Sequence, residues 1–176
     1  MDKNKIKNYQ TFSIIFTFIL GTILHFTYKW SGENLFVASF SAINESTWEH
    51  LKLLYFPMLI TTVIGFFYIG KYRSNYLCSK TIGILVSILF TITFFYTYSG
   101  VVGRNIAIID IASFFIATIL GEYVAYKMMT TYFKCNDKIS IIVLIILLIC
   151  FIVFTYFTPK IGLFKDPVTG RYGIIK

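Results

Sequence analysis

Apolar residues in this chain fall in long unbroken blocks separated by short polar stretches, without the every-third-or-fourth alternation of a half-buried soluble helix. A helix needs about 20 apolar residues to cross about 30 Å of hydrocarbon. Five blocks meet or approach that length: residues 11–29, 51–70, 81–99, 105–126 and 139–158. The fourth carries Asp110 and Glu122, yet residues 106–109 and 111–120 are otherwise almost wholly apolar. The pattern predicts an all-α integral membrane bundle of five transmembrane helices, one membrane domain over residues 1–176 with a tail at 159–176.

The polar stretches predict the details. Residues 34–43 form an apolar run too short to cross, expected to lie re-entrant or at the interface. Ser46 followed three residues later by Glu49 reads as a capping box, so the second helix is predicted to start at Ser46 and to carry Pro57 inside it. The tail contains Asp166-Pro167 and Gly170, a turn signal, and its apolar residues are expected to pack on the bundle. The basic start, Met1 to Lys7, precedes an apolar run longer than a signal-peptide core with no small-x-small site after it, and reads as an uncleaved first span.

Composition agrees with a bilayer. The chain is 57% hydrophobic and 14% charged, with mean hydropathy +0.73. A soluble domain carries about 25% charged residues, so a soluble fold of this chain could not cover its surface. The net charge of +8 resides in Lys and Arg standing singly between apolar blocks. No dense basic stripe exists for nucleic acid, which leaves the lipid bilayer as the partner. Nine Lys and Arg (positions 3, 5, 7, 71, 73, 80, 127, 134 and 138) fall on one side of the five-span arrangement, and seven (29, 52, 104, 160, 165, 171 and 176) on the other. The positive-inside rule then predicts N-terminus in and C-terminus out. The three cysteines, Cys78, Cys135 and Cys150, have no CxxC spacing and an odd count. They are expected to be buried or reduced thiols, with Cys78 and Cys135 toward the cytoplasm. No clean GxxxG marks a dimer face, so the oligomeric state is not legible.

Ionisable residues inside a membrane are costly and point to function. Counting at 1.5 Å per residue puts His25, Glu45, Glu49, His50 and Asp110 in one layer near the outer ends of three helices. Glu122 lies deeper, toward the cytoplasmic side. Imidazoles with carboxylates are a usual ligand set for zinc or another divalent metal. These five are the candidate ligands, with Glu49 and Asp110 also the candidate catalytic bases. The same residues without metal could relay protons or bind a cation. Simpler roles stand beside these: Glu49 as a cap, Glu45 as a solvated loop residue, His25 as a helix-to-helix hydrogen bonder, Asp110 as a partner of Arg104 or a tyrosine. GxSxG, P-loop and HExxH motifs are absent. Two functional classes follow: a metal-binding membrane hydrolase acting on a lipid or other amphiphile, or a transport component binding a solute or cation.

The strings Asn44-Glu45-Ser46-Thr47-Trp48-Glu49-His50-Leu51-Lys52 and Leu163-Phe164-Lys165-Asp166-Pro167-Val168-Thr169-Gly170-Arg171-Tyr172-Gly173 resemble those of a family of small bacterial polytopic membrane proteins catalogued only as a domain of unknown function. The likeness covers the whole chain. It implies a multi-pass protein of a bacterial plasma membrane and brings no activity with it. Asn44 with Trp48-Glu49-His50-Leu51 is also faintly similar to an Asn-x-Trp-x-His-Leu string of the adiponectin and progestin receptor-like membrane hydrolases. Those have seven helices and a three-histidine zinc site. This chain has two histidines in all and a different Asn-to-Trp spacing, so that activity is not carried over.

Overall fold

A computed structural model describes residues 2–131 and 135–174. Among these the chain is helical, with α1 Lys3–Trp30, α2 Leu35–Ala38, α3 Thr47–Tyr68, α4 Tyr76–Val102, α5 Ala107–Thr130 and α6 Asp137–Tyr156. Single 3-10 turns lie at Gly70–Tyr72 and Gly162–Phe164. All but α2 are long and apolar enough to cross a membrane. There is no strand among the described residues beyond one isolated bridge between Lys165 and Tyr172 in the tail.

The helices outrun the apolar blocks at their polar ends. α1 begins at Lys3, eight residues before its block, because the Asp2 side chain caps it by accepting from the Asn4 N–H at 3.0 Å. The first turns of α1 therefore carry Lys3, Lys5 and Lys7 as helix. α3 begins after Ser46, whose hydroxyl accepts from the Glu49 N–H at 3.4 Å. Only half of the expected capping box forms. The Glu49 carboxylate does not turn back to Ser46, whose N–H goes to Asn44 Oδ1 at 2.9 Å. The run 34–43 holds the four-residue α2 and turns, not a crossing helix.

The bundle interior is unusually polar on α1. Its buried face reads Ile6, Gln10, Ser13, Thr17, Gly21, Leu24 and Tyr28. In lipid an apolar face gains nothing by turning inward, so small and hydroxylated residues serve as helix contacts. The apolar part of the core comes from α3, with Leu51, Leu54, Tyr55 and Met58 against Ile84, Ala117, Leu144 and Phe151. Pro57 removes the N–H that the Leu53 carbonyl would have received. That carbonyl faces Gly21, where an added Cβ would sit 2.5 Å from it.

α4 and α5 meet most closely through small residues. A Cβ on Gly121 would lie 2.4 Å from the Gly83 carbonyl oxygen and 2.0 Å from Ser87 Oγ. Ser87 could rotate, but backbone at Gly83 could not yield without separating the helices. Gly121→Ala is therefore expected to lower stability by about 1–3 kcal/mol, although alanine favours helix by up to about 1 kcal/mol. Gly100→Ala, where an added Cβ meets nothing within 4 Å, keeps only that gain. Thermal unfolding in detergent should move the two variants in opposite directions.

Two expectations need correction. Cys78 and Cys135 are joined as a disulfide, with Cα atoms 6.1 Å apart, and are not separate thiols; only Cys150 is free. The bond ties the first turn of α4 to the α5–α6 connection. Lys52 and Lys80, counted above as end charges, are fully buried and paired with acids. Removing them takes one charge from each side, so the small bias between the two ends survives.

Candidate metal centre

The end of the bundle where α1 finishes and α3 starts is built by a tight return. Ser41 pins it: its hydroxyl donates to the Leu24 carbonyl and accepts from the Tyr28 N–H at 2.9 Å. This lays residues 41–46 against the last turns of α1 and holds Glu45 over His25. The tail closes the same end. Asn44 Nδ2 donates to the Gly173 carbonyl at 3.0 Å, and Phe164 packs tilted against Trp48 with ring centres 4.8 Å apart.

Three of the predicted site residues converge there. Glu45 lies 3.4 Å from His50 Nε2 through one carboxylate oxygen and 3.8 Å from His25 Nε2 through the other. The imidazoles stack with centroids 5.4 Å apart. One ligand atom from each residue can be chosen so that all lie within 4.8 Å of one another. All three side chains are half-buried, open enough for an ion and water to reach. The His50 imidazole beside Glu45 holds that carboxyl below the usual carboxylate range, against burial that pushes the other way.

The tautomer of His50 is the informative detail. Its Nδ1 is 2.9 Å from the Ser46 carbonyl oxygen. A carbonyl can only accept, so Nδ1 carries the hydrogen. In the neutral ring Nε2 is then a bare lone pair facing a carboxylate, acceptor against acceptor. Something positive belongs between them, a proton or a metal ion. A charge-assisted N–H···O bond closes to about 2.7–2.9 Å. Two ligand atoms on a tetrahedral ion, at about 2.0–2.2 Å each, stand about 3.3 Å apart. The 3.4 Å separation suits a metal bridge and also a long N–H···O bond, the proton-bridged form in which His50 holds the Glu45 carboxyl below its usual range. A ring nitrogen tied to a backbone carbonyl is also the usual outer support of a metal-binding histidine.

The other predicted residues are not part of this cluster. Glu49 is buried and ion-paired with Lys52 Nζ at 2.5 Å, and it accepts from the Ile43 N–H at 3.0 Å. Lys52 donates onward to the Ala38 carbonyl at 2.8 Å and Thr155 Oγ1 at 3.0 Å. This pair locks α3 to the return loop and α6. Asp110 accepts a hydrogen bond from the Tyr98 hydroxyl, the tyrosine partner foreseen as its simpler role.

Toward the opposite end lies a second polar centre. Glu122 receives Lys80 Nζ on both carboxylate oxygens, at 2.6 and 2.7 Å, and the Ser13 hydroxyl at 2.7 Å. Gln10 Nε2 donates to the Glu122 backbone carbonyl at 3.0 Å, and its own Oε1 has no partner among the described residues. Lys80 precedes the third apolar block, which begins at 81, so hydropathy alone does not place it inside the bundle. Starting the helix at Tyr76 puts Tyr76, Lys80, Gly83 and Ser87 on one face, which was the available signal.

A strandless bundle with five helices able to cross a bilayer, closed at one end by a folded tail, has the build of a multi-pass membrane protein. The chain belongs to the family of unknown function DUF6512, whose model matches residues 1–174. No curated protein and no solved structure matches it.

Proposed function

We propose that the chain is a metal-dependent membrane hydrolase in which His25, Glu45 and His50 hold one divalent ion of the zinc class. The observation that carries this is the gathering of His25, Glu45 and His50, whose ligand atoms lie within 4.8 Å of one another, with His50 Nδ1 tied to the Ser46 carbonyl. Two imidazoles and one carboxylate form a three-ligand set of the catalytic kind, which leaves a coordination position open. An ion so held lowers the pKa of bound water and makes a nucleophile near neutral pH. Asp110, which accepts from the Tyr98 hydroxyl, lies outside this three-ligand set.

The site sits at a bundle end, so its substrate is a lipid or other amphiphile presented at that membrane face. The site lies at the end of the bundle opposite the Cys78–Cys135 disulfide, in the leaflet that holds the C-terminal end of α1. The transport alternative draws on the buried Lys80–Glu122 pair and the polar face of α1. Between those and the metal centre, Gly21 is packed hard against the Leu53 carbonyl and Phe114. That contact supports a local site over a continuous path.

The test is metal analysis of protein purified without chelator or polyhistidine tag, paired with a hydrolysis assay on mixed lipid vesicles. About one zinc-class ion per chain and chelator-sensitive release of a lipid fragment are expected. Stoichiometric metal without hydrolysis, but with metal flux into proteoliposomes, would turn the assignment to transport. Absence of metal after reloading would end both metal readings.

A further inference from the structure

We propose that the face opposite the metal centre carries a binding groove for one anionic phospholipid, with its phosphate at Lys5 and Lys71. The inference is independent of the metal reading.

A cavity of about 870 Å³ opens between the first turns of α1 and the last turn of α3. Its residues change character with depth. Lys5 and Lys71 are exposed at the end that faces water. Tyr9 and Tyr68 come next, and Phe12 with Ile64 line the deepest part. From Asp2 to Phe12 the helix rises about 15 Å at 1.5 Å per residue. The headgroup layer of one leaflet is about 5–8 Å thick, half the difference between the full bilayer and its hydrocarbon core. One end of the groove thus lies at headgroup depth and the other among acyl chains.

The shape is set by small and capped positions. Gly65 leaves the space that the Tyr9 ring occupies, since a Cβ there would lie 2.5 Å from Tyr9 Cε1. The Tyr9 hydroxyl donates to the Thr61 carbonyl at 2.6 Å, which holds the ring down as a wall. Phe12, Ile64 and Tyr68 remain exposed in the protein alone. At their depth the surrounding medium is lipid, and the rim decides which lipid. Lys71 has no carboxylate partner among the described contacts and rests 5.0 Å over the Tyr72 ring, a soft contact. Asp2 is the one acid at the rim, and its carboxylate is engaged on the Asn4 N–H as the α1 cap. The N-terminal end of α1 adds partial positive charge at the same level. Two cations, tyrosines at glycerol depth and an apolar floor suit a phosphodiester headgroup with net negative charge. A zwitterionic lipid would bring its own ammonium to a cationic rim.

Native mass spectrometry of the full chain in non-ionic detergent tests this, with equimolar phosphatidylglycerol and phosphatidylcholine of matched chains. One retained phosphatidylglycerol is expected. A basic residue near an anionic surface is worth about fivefold in binding. Lys5→Gln with Lys71→Gln should therefore weaken retention about thirtyfold, while leaving helix content unchanged, since both side chains are exposed. The control Lys3→Gln with Lys138→Gln removes two exposed lysines of the same end that do not line the groove, and should change retention less than twofold. Glycerophosphoglycerol, the headgroup without chains, should fail to displace the bound lipid. Equal retention of the two lipids, equal loss in the control variant, or displacement by the headgroup alone would each overturn the proposal.

Discussion

Glu122→Ala is expected to destabilise the detergent-solubilised protein by about 3–5 kcal/mol, the cost of leaving one member of a buried ion pair uncompensated. Lys80 Nζ has three donors, and all three are used: two on Glu122 and one on Ser13 Oγ at 3.2 Å. Removing the carboxylate strands an ammonium that is fully shielded by the protein. Lys80→Met alone should cost a similar amount, because it strands the carboxylate instead. The pair as a whole is a different quantity. Desolvating two charges nearly cancels their attraction, so replacing both by apolar groups of like volume is often neutral or stabilising. Lys80→Met with Glu122→Leu should recover most of the loss, since Ser13 can turn its one hydroxyl hydrogen from Glu122 to Thr61 Oγ1 at 2.7 Å. Thermal unfolding of the two single variants and the double variant gives the coupling directly. Additive losses would show that the two residues do not act on one another.

That pair also marks where reading the sequence ran out. Five helices were legible because apolar length is a property of the chain alone. The ends of the helices were less so, because a cap such as Asp2 extends a helix through polar residues that hydropathy discounts. The Gly83–Gly121 contact was not legible, since small residues signal close approach only once the two helices are known to be neighbours. Depth counting gathered His25, Glu45, Glu49, His50 and Asp110 at one end, but depth does not give azimuth. Glu49 and His50 are adjacent in sequence and point about 100° apart on α3. His50 therefore meets Glu45, while Glu49 turns inward to Lys52. Lys52 was the missing fact. It lies three residues from Glu49 on the same helix face, and its aliphatic neighbours gave no reason to expect a buried ammonium.

His50→Ala is expected to abolish stoichiometric metal binding, and His25→Ala and Glu45→Gln to weaken it by at least about a hundredfold. Changing an outer support of a ligand already costs about 10–100-fold, and these three are the ligands themselves. Glu49→Gln discriminates. If Glu49 were a ligand, the variant would lose metal. Its carboxylate instead balances Lys52, so the variant should keep the metal and lose stability, by about 3–5 kcal/mol for a broken buried pair. Acid should release the metal for a reason the variants can separate. Binding requires neutral imidazoles and an ionised carboxylate. The Glu45 pKa is depressed in the folded protein. Its carboxylate is therefore present throughout the range above its ordinary value, and is lost only as pH falls through the depressed one. Release between about pH 7 and 5 must then come from protons competing at the two histidines, whose ordinary value is about 6.5. A proton would replace the ion between His50 Nε2 and Glu45, converting a ligand pair into an imidazolium–carboxylate pair. Metal content measured by equilibrium dialysis across this range should fall with a slope approaching two protons per ion in the native chain. A slope of zero down to pH 5, or metal retained in His50→Ala but lost in Glu49→Gln, would move the site from Glu45 and His50 to Glu49.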